Sequence, residues 1–305
     1  MKIVIVCGDG AIRGGYVAGV FFALKKYCPK IWNLVTDFTA SSSSVGGLFY
    51  EEGFKDENPG KKLWTQDFAD PNFINLSNFF KGGKVYDIDY LVDTIFKKNN
   101  PCDISLIHKS KSGYYFPLID YDSGNTVIFN NRGLTKKQTG VEYSLIEPKQ
   151  IYEYIRAATA VPILYDSTVQ IGKRRFIDAG IRMPYFINEH LFKNHKKIII
   201  STNNPFKSSD GLACRFSGDL FQYLGPLVGA HLKSGYYEEI AKKSEKFQEL
   251  KDSINYTKKS QNTFYVYPKE KLGGIFDNSE ETLKKNFEQG EKDLIEQIEQ
   301  LEKFI

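Results

Sequence analysis

The 305-residue sequence predicts one α/β domain with a mostly parallel sheet and a C-terminal helical annex. Two observations carry this expectation. Short apolar runs of strand length alternate with segments whose apolar residues recur at helical spacing. Two of the runs pass through a small-residue turn straight into a helix, the sequence form of a strand–turn–helix unit.

Lys2 to Cys7 is apolar throughout, as a parallel strand buried on both faces should be. Gly8 to Gly15 is a glycine-rich turn, and Tyr16, Val17, Val20, Phe21 and Leu24 then follow a helical period. Leu34 to Ala40 is a second strand. It enters Ser41-Ser42-Ser43-Ser44 and a helix from Val45 to about Glu52. Pro59 to Gly83 is polar and aromatic and reads as loops and short helices. Asp89 to Lys98 is helical, with Leu91, Val92, Ile95 and Phe96 on one side. Tyr114 to Asp122 and Asn125 to Asn130 form a hairpin. Pro148 to Thr159 is a helix that stops before Val161-Pro162, since the residue before a proline disfavours the helical region.

Thr168–Ile171 and Arg174–Ile177 are two strands joined by Gly172-Lys173, and Lys196 to Ser201 is a further buried strand. Phe206 to Tyr237 and Glu238 to Tyr256 are read as helical, Asn262 to Pro268 as containing a strand. Asn278-Ser279-Glu280-Glu281 is an N-cap region, and beyond it Leu283, Phe287, Leu294, Ile298, Leu301 and Ile305 mark a C-terminal helix. The expected division is a catalytic core over 1–205 and a helical extension with one strand over 206–305, packed on the same domain.

The net charge of +4 is too mild to suggest a nucleic-acid partner, which calls for a clustered basic stripe. It suits loose contact with an anionic membrane surface. Cys7, Cys28, Cys102 and Cys214 show neither metal-ligand nor redox spacing, so no metal site and no disulfide framework is expected. The N-terminal apolar run is short and has no cleavage pattern after it, so it reads as a strand rather than a signal peptide. No segment has the ~18 apolar residues of a membrane-spanning helix. The expected location is cytoplasmic or peripheral at a membrane, with signal-independent secretion left open.

Three segments that follow predicted strands carry the chemistry, because open α/β sheets place ligands beyond their strand ends. Gly8 to Gly15 presents free backbone N–H groups at a helix start, suited to a phosphate or an oxyanion. It lacks both the dinucleotide fingerprint and the phosphate-loop Gly-Lys-Ser/Thr. Ser42-Ser43-Ser44-Val45-Gly46 has the spacing of a nucleophile elbow with Ser42 at the first glycine position. Gly46 and Gly47 supply the small neighbours that a strained turn needs. A serine-rich helix cap is the competing reading. Arg174 to Gly180 ends a strand in Asp178-Ala179-Gly180, either a plain turn or a carboxylate at the mouth of the sheet.

Taken in order, these segments resemble the patatin-like phospholipase family, whose usual forms are Gly-Gly-Gly-x-Arg-Gly, Gly-x-Ser-x-Gly and Asp-Gly-Gly or Asp-Gly-Ala. Here they are Asp9-Gly10-Ala11-Ile12-Arg13-Gly14, Ser42 to Gly46, and Asp178-Ala179-Gly180. Arg156 to Pro162 is similar to the family's Ala-Ser-x-Ala-x-Pro segment. Phe287 to Asp293 is similar to the C-terminal helix of a bacterial branch. The sequence departs from the family at Asp9, Ala11, Ser42 and Ala179.

The resemblance implies a three-layer α/β/α sandwich and a Ser44–Asp178 dyad that hydrolyses the esters of phospholipids or related lipids. Gly10, Ala11 and Ile12 would form the oxyanion hole, and Arg13 would orient that loop or meet a lipid phosphate. No cofactor is needed. The expected partners are a lipid substrate and, peripherally, a membrane, for which Phe68 to Phe80 could serve as a docking surface or equally as core. Two alternatives stand beside this. One is a catalytically weak or inactive lipid- or partner-binding protein on the same fold. The other is a Ser–His–Asp hydrolase using His190, His195 or His231, of which His195 precedes its strand and so falls at the wrong end.

Overall fold

In a computed structural model, the chain is described at residues 1–8, 10–39, 57–80, 84–101, 110–135, 137–138, 141–161, 164–165, 167–180, 186–188, 191–204, 262–274 and 276–305. The expected helix at 45–52 and those between 206 and 256 lie outside these residues.

The first strand, β1 (Lys2–Cys7), is buried from Ile3 onward. Its two faces meet different partners. Ile3, Ile5 and Cys7 pack with residues of the following helix α1 (Gly14–Tyr27), among them Val17, Val20 and Phe21. Val4 and Val6 pack with Phe186, Phe192 and Ile199 on the other face. A strand covered on both sides has no reason to alternate with polar residues, which accounts for its uniformly apolar sequence.

The strands β2 (Val35–Thr39), β3 (Gly113–Asp120), β9 (His195–Ile200) and β10 (Thr263–Val266) extend this into a parallel block. Its order is β10-β9-β1-β2-β3. Beyond β3 the sheet becomes mixed. There β4 (Thr126–Asn130) runs antiparallel to β3, as the hairpin reading expects, and β6 (Val141–Leu145) runs parallel to β4. The short β5 (Lys137–Gln138) closes that edge. The result is a mostly parallel central sheet flanked by helices, the fold class read from the sequence. The sequence reading had no strand at β5 or β6. Only Tyr143 of β6 is buried, so a strand this polar near the sheet edge leaves little period-2 signal.

One irregularity in register matters for the site. Thr39, the last residue of β2, lies opposite Tyr115 of β3. Five further residues of β3 run past the end of β2, and β8 (Arg174–Asp178) pairs with that overhang in the antiparallel sense. The partner of β8 on its other side is β7 (Val169–Ile171). Asp178 pairs with Leu118, three residues or about 10 Å beyond the level of Thr39.

The helix α2 (Glu57–Thr65) and the helix α3 (Ile151–Thr159) add to the same core as α1. The segment expected as a helix at 89–98 forms a turn at Ile88–Tyr90 and then a π-helical stretch, Leu91–Asn99, that buries the expected Leu91, Val92, Ile95 and Phe96. Near the C-terminus, α4 (Glu280–Ile295) begins at Ser279, whose side chain accepts from the Thr282 N–H, and α5 (Ile298–Phe304) follows.

The α4 helix crosses α1 at glycines. A Cβ on Gly19 would lie 2.0 Å from the Phe287 carbonyl oxygen, and one on Gly290 2.1 Å from that of Tyr16. The Tyr16 hydroxyl donates to the fully buried Asp293 (3.2 Å), which also accepts from Gln289 (2.9 Å) and from the Lys269 backbone N–H (3.2 Å). Among the described residues, no helix is long and apolar enough to cross a membrane.

Candidate active site

Beyond β1 the glycine-rich segment tightens into a 3₁₀ turn, Ala11–Arg13, whose Arg13 N–H bonds to the Gly10 carbonyl at 2.8 Å. The first N–H groups of such a turn have no acceptor within it. Ala11 has φ +48°, the left-handed region that non-glycine residues seldom enter. This is a position that the patatin-like motif fills with glycine, so Ala11 keeps a glycine's geometry at a cost in strain. Gly10 is required for a different reason. A Cβ there would lie 2.6 Å from the Thr202 methyl group, just past the end of β9.

Arg13 reaches back into the protein rather than outward. Its Nε donates to the Gly273 carbonyl (2.8 Å) and its Nη1 to Asn203 Oδ1 (3.0 Å). Burial lowers its pKa, the nearby Tyr86 opposing that shift. Of the two roles the resemblance offered, this geometry fits orientation of the loop.

Asp178 ends β8 only 4% exposed. Its backbone N–H donates to the Ala160 carbonyl (3.2 Å), and its Oδ1 accepts from the Gly180 N–H (2.8 Å). The carboxylate thus shapes its own turn, the plain role foreseen for it. Burial raises the pKa to about 7, with the Gly180 N–H pulling the other way. Ala179 is buried against Ile119, Tyr121 and Ile177, so its methyl group is accommodated where the family has glycine.

An apolar cavity borders the turn. Ala11, Ile12 and Val161 line it beside the turn and the Ala160 carbonyl, and Trp64, Phe68 and Phe73 line it elsewhere. The aromatic rings pack edge-on or tilted, with Trp64 and Phe68 centroids 4.5 Å apart and Phe68 and Phe73 5.8 Å apart. Phe68, Phe73 and Ile74 are therefore core and cavity wall, while Leu76 is half exposed.

Asp9, Ser42, Ser44, Gly46 and Gly47 lie outside the described residues, as do the side chains of Phe79 and Phe80, and His190 and His231. His195 opens β9 opposite Lys2, the amino end of the parallel block, with Nε2 3.0 Å from the buried Asp37. Among the described residues, no group of His, Cys, Asp and Glu could hold a metal ion. Cys7 is buried, which pushes its thiol pKa up and makes it a poor nucleophile.

No family model matches the chain. The uncharacterized protein YjjU of Escherichia coli (strain K12) is 22% identical over 206 residues, which is 67% of this chain and 52% of that protein. The chain thus spans about half the length of that curated relative. The crystal structure of VipD from Legionella pneumophila is similar at a TM-score of 0.46 and 11% identity, over 97% of this chain and 67% of that one. Neither similarity carries an activity to this chain. The contacts of Arg13 with Asn203 and Gly273 had no sequence signal, because neither residue sits in a motif. The cavity residue Val161 did have one, in the Arg156 to Pro162 segment.

Proposed function

We propose that this chain is a patatin-like serine acyl hydrolase that cleaves ester bonds of phospholipids or related lipids. The observation that carries the reading is the cavity at the turn. An apolar, aromatic-walled space is lined by Ala11 and Ile12 of the turn and by Val161, the residue after the Ala160 whose carbonyl accepts from the Asp178 N–H. Its apolar walls match the chemistry of an acyl chain, with the turn that would hold the ester at its edge.

In this mechanism Asp178 Oδ2 takes the proton of the Ser44 hydroxyl as the Ser44 oxygen attacks the ester carbon. Backbone N–H groups of Gly10, Ala11 and Ile12 hold the oxyanion. The alcohol leaves with the proton from Asp178, and water, activated by the same carboxylate, releases the fatty acid and restores Ser44. A base of ordinary carboxylate pKa is weak at neutral pH, and burial strengthens it. Asp178 lies about 10 Å past the end of β2, the strand that leads to Ser44, which supports the pairing. That Ala11 keeps a glycine's backbone and Ala179 fits its pocket favours an active enzyme over an inactive binding protein.

The test is a fluorophosphonate probe together with a panel of fluorogenic esters. Ser44→Ala should lose labelling and hydrolysis, whereas Ser43→Ala and His195→Gln should keep both within about threefold. Labelling that survives Ser44→Ala removes the assigned nucleophile. A folded but silent His195→Gln protein would put a histidine in the mechanism.

A further inference from the structure

We propose that Asn203 and Asn286 are positioning residues for the oxyanion turn, holding Ala11 in its left-handed conformation through Arg13 and Gly273. This inference rests on the hydrolase reading of the same site. It starts from a conformational mismatch. An alanine at φ +48° relaxes toward negative φ unless its surroundings prevent it. Relaxation would swing the N–H groups of residues 11 and 12 away from the direction they now hold. Preorganised donors act only if they stay aimed at the developing charge.

The restraint can be followed atom by atom. Arg13, two residues on from Ala11, closes the turn with its own N–H on the Gly10 carbonyl at 2.8 Å. Its guanidinium is held in two directions, by Gly273 O at 2.8 Å and Asn203 Oδ1 at 3.0 Å. Asn203 lies just past the end of β9, where its own N–H bonds to the Ser201 hydroxyl at 3.2 Å. Gly273 is held in turn, its N–H donating to Asn286 Oδ1 at 3.1 Å. A Cβ on Gly273 would lie 2.2 Å from the Thr282 methyl group, so the segment is pressed onto α4.

Asn286 is 1% exposed in α4, and α4 is locked to α1 where Gly19 and Gly290 meet. Because α1 begins at Gly14, immediately after the turn, the contacts form a closed circuit. It runs from the turn to Arg13, Gly273, Asn286, α4, α1 and back to the turn. Arg13 alone could not impose the geometry, since a long side chain without fixed acceptors has many rotamers.

A double-mutant cycle separates positioning from general support. Asn203→Ala should lower kcat on a soluble short-chain ester by about tenfold, with KM little changed. Asn203→Asp keeps the acceptor oxygen and should retain kcat within about threefold. Asn286→Ala should behave like Asn203→Ala, measured well below its melting temperature. The decisive arm is Ala11→Gly. Glycine enters the left-handed region freely, so in that background Asn203→Ala should cost under about threefold.

If Asn203→Ala leaves kcat unchanged, or costs the same tenfold in the Ala11→Gly background as in wild type, the positioning role is wrong while the hydrolase reading stands. A wild-type chain that hydrolyses no ester and takes no fluorophosphonate overturns the hydrolase reading itself.

Discussion

Asp178 and Ala11 hold conformations or charges that water would not give them. For Asp178 the pH consequence has a definite sign. Its folded pKa, about 7, lies above the ordinary 3.8, because burial penalises the charged form. Below about pH 4 the group is protonated whether the chain is folded or not, and stability is untouched. As pH rises from about 4 to about 7 the unfolded chain releases its proton first, so stability is lost across that window. Asp178→Asn should therefore raise the melting temperature at about pH 8 and hardly change it at about pH 4, while hydrolysis falls by several orders of magnitude. For wild type, kcat/KM should climb with pH to a plateau above about 7, because the base works ionised. Equal melting of the two proteins at about pH 8 would mean that Asp178 is not penalised by burial. The sequence marked this residue as an aspartate in a small-residue turn at the mouth of the sheet and, through the family resemblance, as the base. Its burial comes with pairing to Leu118 of β3 and bonding to the Ala160 carbonyl, partners that no local pattern reports.

At the scale of elements, α1 and α4 were legible because their apolar residues repeat at helical spacing, and the cap region from Asn278 to Glu281 contains the Ser279 at which α4 begins. How the two helices meet was not legible. Gly19 and Gly290 each sit where a Cβ would strike the other helix's backbone. Gly290→Ala should therefore destabilise the fold by about 1–3 kcal/mol through overpacking. The better helix propensity of alanine works against that loss by only about 1 kcal/mol. Thermal melts of Gly290→Ala and, as a control, Gly124→Ala separate crowding from glycine chemistry. Gly124 has open space around it and φ +71°, so its substitution tests backbone strain alone. A Gly290→Ala protein that melts higher than wild type would show that the helices can separate at no cost. The β8 strand teaches the same lesson differently. Its apolar residues predicted a strand, but its antiparallel direction and its place on the β3 overhang follow from pairing partners far away in sequence.

For the molecule as a whole, the parallel block was readable because strands covered on both faces must be apolar throughout. The joining of the turn to late segments was not, since Asn203 and Gly273, the partners of Arg13, sit in no motif. Arg13 and Gly273 are 260 positions apart, yet the bond between them belongs to the setting of the turn. This separation makes the order of events during folding matter. Contacts between distant segments form slowly, because the loop between them must first be closed. While a chain is being synthesised, residues 10–13 leave the ribosome long before the segment that restrains them. A chain with its early strands already paired would carry the turn in a relaxed form until α4 docks. Hydrolytic competence should then be the last property to appear. In refolding from denaturant, ester turnover should lag behind the recovery of far-UV circular dichroism, and the lag should shrink in Ala11→Gly. Simultaneous recovery of both signals would mean that the turn sets itself without the C-terminal helix. If the lag is present, the distance between the turn and its restraint acts as a timer, keeping the proposed site idle until the segment that restrains its turn has folded.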